Sequence, residues 1–387
     1  MVYDAIMDIE FSKDQKKAVD TITDWYTSHT SQLPAFTFGG AAGTGKSTLI
    51  SHLHQALPFA KISYCAYTGK AATVLRRKLA VHGIGHESIS TIHSLMYTPQ
   101  LDSDGNVAGW KRNPHLDGNL IVIDEASMVP KEIYDDLLSY DIPLLFVGDH
   151  YQLPPVSQYE FNLMDDPFVK LDTPHRFAAD SPIVKLATKV RNGENIKFGD
   201  HGDGVSKRTL KTITQDEIQR FFQSDELKNG DSIMLSGFNK TRVKLNKRVR
   251  KQFGYSGLIN NGERVVCLRN NKKTNIPLFN GALGTVKHVG TKHDTAWKGA
   301  IEMDGFDSPF RGVIYNDIFN TEKPDLYVGR SRDTQCFDYG YALSVHKSQG
   351  SSWNRVCVFE EQCDLFDNLR WLYTAVTRAE NELLIIK

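Results

Sequence analysis

"GGAAGTGKST", residues 39–48, decides the fold. It satisfies GxxxxGK[ST] in full with Gly40, Gly45, Lys46 and Ser47, encloses Gly43 and Thr44, and runs on into Thr48. Glycines let backbone amides converge on a β-phosphate, the lysine of such a loop reaches the β- and γ-phosphates, and the serine hydroxyl suits Mg2+. At background residue frequencies a chance match in one chain is on the order of one in a hundred. The apolar run "AFTFGG" precedes the loop, and Leu49, Ile50, Leu53, Ala56 and Leu57 share one helical face after it. Strand, loop and helix therefore follow in the order that a phosphate site needs.

Three more apolar runs ending in Gly, Asp or Ser read as buried parallel strands: "KISYCAYTGK", "NLIVIDEAS" and "IPLLFVGDH". Their polar ends fall at the carboxyl edge of one sheet, where open α/β folds bind ligands. Asp124 and Glu125 end one run. Two adjacent carboxylates there suit a cation and a water: Asp124 for Mg2+, Glu125 to orient or polarise an attacking water. That second carboxylate favours hydrolysis over transfer to a substrate. In "GDHYQLPPV", Gln152 stands where an amide can contact a γ-phosphate, and Pro154 and Pro155 stiffen the exit.

A second set of such strands, in "DSIMLSGFN", "YGYALSVHKSQG", "RVCVFEE" and "NELLIIK", points to a second α/β domain. Between them, residues 252–335 carry short strands separated by Gly, Asn and Pro clusters, which reads as a small inserted β-barrel. Residues 95–113 interrupt the first domain, and the Asp104 and Gly105 turn predicts a projecting hairpin. Formal net charge is zero, yet residues 236–251 hold seven basic residues and no acid. The five cysteines are scattered without a CxxC pair, which argues against a disulfide framework or a zinc site. No run approaches the roughly 18 apolar residues of a membrane span. The acidic start "MVYDAIMDIEFSKDQ" lacks signal-peptide character, so an intracellular, cytoplasmic protein is expected.

The ordered set "FSKDQ", "GGAAGTGKST", "AYTGKAA", "STIHS", "IDEAS", "GDHYQLPPV", "PHRF", "YALSVHKSQGSSW" and "WLYTAVTRA" resembles the motif series of superfamily 1 helicases, and within them the RecD and Dda branch, superfamily 1B. The resemblance spans Phe11 to Arg378. It implies two RecA-like motor domains of parallel sheet, the first from 1–94 and 114–165, the second from 166–251 and 336–387. The segment 95–113 would be a pin hairpin and 252–335 an SH3-like barrel insertion. By the same resemblance Gln15 reads adenine, so ATP is the nucleotide, and Gly350 joins the nucleotide site. Arg176 and Arg378 would reach the γ-phosphate from the second domain. Thr68, Lys70, Thr91, His93, Asn239, Lys240, Asn280, Ser344, His346, Lys347 and Gln349 would line a single-strand groove. Hydroxyl, ammonium and imidazole donors there suit phosphate oxygens, which carry no sequence information. Tyr97, Trp110 and Phe279 are available for stacking on bases or for packing.

The expected activity is ATP-dependent 5′ to 3′ unwinding of DNA in replication, recombination or repair. The implied partners are single-stranded DNA, duplex junctions and single-strand-binding or replisome proteins, with the chain as a monomer. The accessory terminal domains of larger members are expected to be missing. Three alternatives stay open at this point: a translocase that strips proteins without opening duplexes, an RNA helicase, and a binding module with a relic nucleotide site.

Overall fold

The computed structural model describes residues 11–387 apart from 85–88, 102–106, 156–160, 175–179, 272, 273, 277, 307, 324–333, 363, 365 and 366; for 70, 99, 101 and 107–110 it describes the backbone alone. The chain divides between Val184 and Lys185 into two compact units.

The first unit begins with α1 (Lys13–Asp24), β1 (Ala35–Gly40), α2 (Lys46–Ala56), β2 (Ile62–Ala66) and α3 (Gly69–Val81). It continues with β3 (Ile89–Thr91), α4 (Ile92–Met96), β4 (Tyr97–Leu101), β5 (Val107–Arg112), β6 (Leu120–Asp124), α5 (Lys131–Leu138), β7 (Leu144–Gly148) and β8 (Val169–Leu171). Six strands form one sheet in the order β3-β2-β6-β7-β1-β8, every pair parallel. Alternate residues of its central strands enter two cores. Leu120, Val122, Leu145 and Val147 pack with Val19 and Ile22 of α1, Leu49 and Leu53 of α2 and Leu75 of α3. Ile121, Ile123, Leu144 and Phe146 pack with Ile92 of α4 and with Ile133 and Leu137 of α5. Helices cover both faces, which is why these strands read as unbroken apolar runs. Each fully buried aliphatic chain contributes about 1.5–3 kcal/mol, so Leu49, Ile50 and Leu53 fix α2, and with it the phosphate loop, to the sheet.

β8 corrects the expected boundary after residue 165. Val169–Leu171 pairs with Phe38–Gly40, so residues 166–184 go with the first unit. β4 and β5 form a separate antiparallel pair, Tyr97 opposite Arg112 and Gln100 opposite Gly109. The expected turn at Asp104 and Gly105 lies outside the described residues.

After α6 (Pro182–Arg191), the second unit runs through β9 (Gly199–Asp200), β10 (Val205–Arg208), α7 (Gln215–Phe222), α8 (Asp225–Asn229), β11 (Ser232–Ser236) and α9 (Asn239–Gln252). Then follow β12 (Arg264–Cys267), β13 (Leu283–Lys292), β14 (Ala296–Met303), β15 (Phe310–Tyr315), β16 (Phe337–Tyr339), β17 (Ala342–Ser344), α10 (Val345–Ser348), β18 (Trp353–Phe359), α11 (Asn368–Val376) and β19 (Ala379–Ile386). Its main sheet has the order β17-β11-β18-β19-β10-β9 and is parallel except for β9. The inserted segment forms a five-stranded antiparallel sheet, β15-β14-β13-β12-β16. β16 lies beyond the expected end of the insertion at residue 335, because Phe337–Tyr339 pairs with Val265–Cys267. The four described cysteines, Cys65, Cys267, Cys336 and Cys357, are buried and free; Cys363 lies outside the described residues. No helix among the described residues is long and apolar enough to cross a membrane.

Candidate nucleotide and nucleic-acid sites

β1 runs out at Gly40 and α2 starts at Lys46. Gly43 and Gly45 between them have φ of 76° and 85°, left-handed values that glycine alone adopts freely. Thr44 Oγ1 donates to the Ala41 carbonyl at 2.9 Å. Lys46 Nζ donates to the carbonyls of Gly40 (2.5 Å) and Ala41 (3.0 Å), which holds the ammonium within the loop. Gln15 is buried and joins this structure from α1. Its Nε2 donates to the Thr44 carbonyl at 2.9 Å while its Oε1 accepts from Ser12 N at 3.0 Å. Ser12 Oγ accepts in turn from Gln15 N at 3.2 Å, which completes a capping box. A Cβ on Gly45 would fall 2.4 Å from Gln15 Nε2, so the loop glycine also makes room for α1.

Parallel register brings the carboxylates to the same edge. Asp124 ends β6 level with Ala66, and Ala66 is level with Thr91. Asp124 Oδ1 accepts from Glu125 N at 2.9 Å. Glu125 itself has φ 55° and ψ 40°. A non-glycine residue held in this region costs on the order of 1–3 kcal/mol and survives only where its surroundings impose it. The surroundings here are tight: a Cβ on Gly148, at the end of β7, would lie 3.0 Å from Ser127 N and 3.2 Å from Ala126 N.

Ser47 and Asp124 offer a hydroxyl and a carboxylate, the oxygen donors that Mg2+ takes alongside phosphate oxygens and water. They fit such an ion. Lys78 Nζ donates to Ser47 Oγ at 3.1 Å, so this hydroxyl already faces a positive charge. No cluster of three or more His, Cys, Asp or Glu suited to a metal occurs among the described residues.

Beyond β7, Asp149, His150 and Gln152 are all buried. Gln152 Nε2 donates to Asp149 Oδ2 at 3.3 Å, and its Oε1 accepts no hydrogen bond among the described residues. His150 Nε2 lies 3.2 Å from Asp172 Oδ1. Burial nevertheless holds the imidazole below the usual histidine range, with Lys46 and Lys170 acting in the same direction and Asp149 and Asp172 opposing. Thr68 and Thr91 cap α3 and α4, accepting from Ala71 N and Ser94 N, both at 3.1 Å. His93 is exposed, its ring 6.1 Å from Tyr67 and 6.0 Å from Tyr97. Tyr97 hydrogen-bonds to Asp136; burial first and that bond second push its hydroxyl up to about 12. Arg176 lies outside the described residues, as do the side chains of Lys70 and Trp110.

The second unit uses both edges of its sheet. Ser236 is level with Ser344 at the carboxyl edge, next to Asn239 and Lys240 at the start of α9. His346, Lys347 and Gln349 follow on and after α10, and burial lowers the His346 imidazole. The exposed Asn280 belongs to a turn beside them, since a Cβ on Gly281 would meet the Lys347 carbonyl at 3.9 Å. At the opposite edge Trp353 N donates to the Arg378 carbonyl at 2.9 Å. Arg378 is buried and donates to the carbonyls of Thr374 (3.1 Å) and Ser351 (3.0 Å) and to Thr377 Oγ1 (3.2 Å). Gly350, with φ 70°, immediately precedes Ser351. Arg378 and Gly350 thus share one edge, and the other is left to Asn239 and Ser344.

Several participants escaped sequence reasoning. The Ser12 to Gln15 spacing was a legible capping signal, whereas Lys78, His150 and Asp149 carried none. Glu361 was equally silent: its Oε2 accepts from the amides of Gly237 (2.7 Å) and Phe238 (3.0 Å), capping α9 from 124 residues away.

Comparison with known proteins agrees with this geometry. The AAA domain family matches residues 10–205, and the UvrD-like helicase C-terminal domain family matches residues 339–386. The ATP-dependent RecD2 DNA helicase of Deinococcus radiodurans is 30% identical over 376 residues, covering 88% of this chain and 45% of the relative. The ATP-dependent DNA helicase dda of Enterobacteria phage T4 is 28% identical over 235 residues, 56% of this chain and 52% of the relative. The chain thus spans about half the length of these relatives. In fold, it is similar to the Pif1 helicase from Bacteroides solved in complex with ADP-AlF3 and ssDNA, with a TM-score of 0.57, 16% identity, and 98% and 92% of the two chains covered. Phosphate loop, carboxylate pair, matched domains and fold converge: the chain belongs to the superfamily 1B helicases, the group of RecD2, Dda and Pif1.

Proposed function

We propose that the chain is an ATP-driven motor that moves 5′ to 3′ along single-stranded DNA and opens duplex DNA in replication, recombination or repair. The observation that carries this reading is that each unit carries residues suited to ATP hydrolysis. The first unit holds the phosphate loop and a strained Glu125 at one sheet edge, and the second holds Arg378 buried against neutral acceptors alone among the described residues. Its relatives carry ATP-dependent DNA helicase in their names, and that supports DNA as the substrate; the direction follows from the superfamily 1B resemblance alone.

In this mechanism Lys46 exchanges the Gly40 and Ala41 carbonyls for phosphate oxygens, and Gln15 positions the adenine. Ser47 and Asp124 would hold Mg2+, which when bound neutralises phosphate charge. Glu125 orients the attacking water, Gln152 senses the γ-phosphate, and Arg378 and Arg176 neutralise the charge that develops during its transfer. Of the two, Arg378 belongs to the unit without the phosphate loop, and its engagement during hydrolysis would couple turnover to domain motion. Thr68, Lys70, Thr91, His93, Asn239, Lys240, Asn280, Ser344, His346, Lys347 and Gln349 grip the strand through its phosphates. The β4 and β5 hairpin splits the duplex as a pin, and the inserted antiparallel sheet serves as the SH3-like domain. The reading places a monomer in the cytoplasm, working with single-strand-binding or replisome proteins.

ATP turnover with and without poly(dT) and poly(U) tests this. Stimulation of at least about tenfold by poly(dT), absent in Lys46→Ala, is the expected result. Stronger stimulation by poly(U) would replace DNA by RNA, and turnover indifferent to either polymer would remove the motor.

A further inference from the structure

The seven basic residues of 236–251 belong to two populations. Arg242 and Arg250 are structural. Arg242 is buried, ion-paired with Asp338 of β16, and donates to the Thr321 carbonyl at 2.8 Å. Arg250 is held by Glu263 at 2.6 Å and lies over the Tyr339 ring, 4.2 Å from its centroid. Val243, Leu245, Asn246 and Val249 bury the same side of α9. The remaining five, Lys240, Lys244, Lys247, Arg248 and Lys251, are exposed and make no hydrogen bond or ion pair among the described residues.

Their positions are i, i+4, i+7, i+8 and i+11, an arc of about 100° along about 16 Å of helix. Within that ridge 240/244, 244/248 and 247/251 are like-charge pairs at i, i+4, and 244/247 and 248/251 at i, i+3; such pairs destabilise a helix. No acid of α9 relieves them, since it has none. Glu361, at the amino end of the helix, is committed to the amides of Gly237 and Phe238, and Glu263 to Arg250. A face that works against its own helix is suited to an anionic partner of matching charge density.

We propose that this exposed face of α9 binds the phosphate backbone of double-stranded DNA, apart from the single-strand track. The proposal rests on the nucleic-acid reading above. Duplex DNA presents one negative charge per about 1.7 Å of its axis and a rigid line of phosphates. Single-strand sites add aromatic platforms on which bases stack, and none of the five ridge positions is aromatic. Contacts made to phosphate alone are sequence-independent.

The test is fluorescence anisotropy of a labelled short blunt duplex across a salt series, using the full chain. Lys244→Gln, Lys247→Gln, Arg248→Gln and Lys251→Gln are combined; Lys240 is left intact because it is assigned to the strand track. The expected result is duplex affinity down by at least about tenfold near 0.1 M salt, with the log–log salt slope reduced by about three. ATP turnover at saturating poly(dT) should be unchanged. A control with the same charge change at exposed Lys211, Lys228, Lys292 and Lys298, each to Gln, should bind like wild type. The charge-preserving set Lys244→Arg, Lys247→Arg, Arg248→Lys and Lys251→Arg should also retain binding. An unchanged duplex affinity and slope in the ridge variant overturns the proposal, as does an equal loss in the control or in the charge-preserving set. An equal loss on single strands assigns the ridge to the track and overturns it too. Duplex binding is read without ATP, so a chain that fails to hydrolyse ATP would refute the motor and leave this result standing.

Discussion

Gln15 Nε2 donates to the Thr44 carbonyl at 2.9 Å, tying the first helix to the phosphate loop, while Oε1 closes the capping box on Ser12. Gln15→Glu keeps the acceptor for Ser12 and loses the donor toward Thr44. The expected outcome is a KM for ATP raised about tenfold, since one charged or polar contact is worth about 1.4 kcal/mol at that ratio, together with a lowered melting temperature, because a buried carboxylate then faces the Thr44 carbonyl. Steady-state kinetics and a thermal melt check it; an unaltered KM removes the contact from nucleotide binding.

Glu125 and Arg378 stand on different units and fail differently. Glu125→Gln should retain ATP binding and lose about 10²–10⁴ in turnover, the usual span for a general base. Arg378→Ala should lose about 10³ or more, as removal of an arginine finger does. Nucleotide binding by fluorescence and single-turnover hydrolysis separate binding from chemistry. Full turnover in either variant contradicts the role given to that residue.

Asp338 is fully buried and receives Arg242, Asn320 N (2.7 Å) and Tyr339 N (2.7 Å). Asp338→Ala strands a buried guanidinium and should cost about 3–5 kcal/mol. Adding Arg242→Met should recover part of this, with the remainder belonging to the two amides. Urea unfolding measures both, and a single variant within 1 kcal/mol or so of wild type would show that the pair does not hold α9 to the insertion.

The lowered pKa of His150 fixes the sign of one pH dependence. Its unfolded value is about 6.5, so above that pH both states are neutral and its contribution is complete. As pH falls below about 6.5 through the folded value, the unfolded chain takes up a proton that the folded chain resists, and stability drops. His346 has the same sign in the second unit. His150→Asn should flatten the acid limb of a melting-temperature profile, leaving the part due to His346. An unchanged acid limb contradicts a buried neutral His150.

The strands of the first sheet were legible because both of its faces are covered, which leaves runs such as "LIVI", residues 120–123, wholly apolar and buried. The three-residue β8 and the two-residue β9 carry too little pattern to announce themselves, and β8 moved the boundary. Local placement was legible as well: the Gly-rich loop lies between β1 and α2, and Asp124 ends β6. Long-range chemistry was not. Nothing near Arg242 predicts Asp338, 96 residues away, so the basic run could not be divided into anchors and ridge. Thr68 and Thr91 show a further limit, since a residue type suited to phosphate is equally suited to capping a helix.

ATP should drive directional opening of DNA. Strand separation measured on two partial duplexes, one with a 5′ and one with a 3′ single-stranded tail and with Lys46→Ala as the blank, tests it most directly. ATP-dependent opening of the 5′-tailed duplex alone is the expected result. Opening of the 3′-tailed duplex alone would contradict the direction, and ATP turnover without opening of either would contradict the helicase itself.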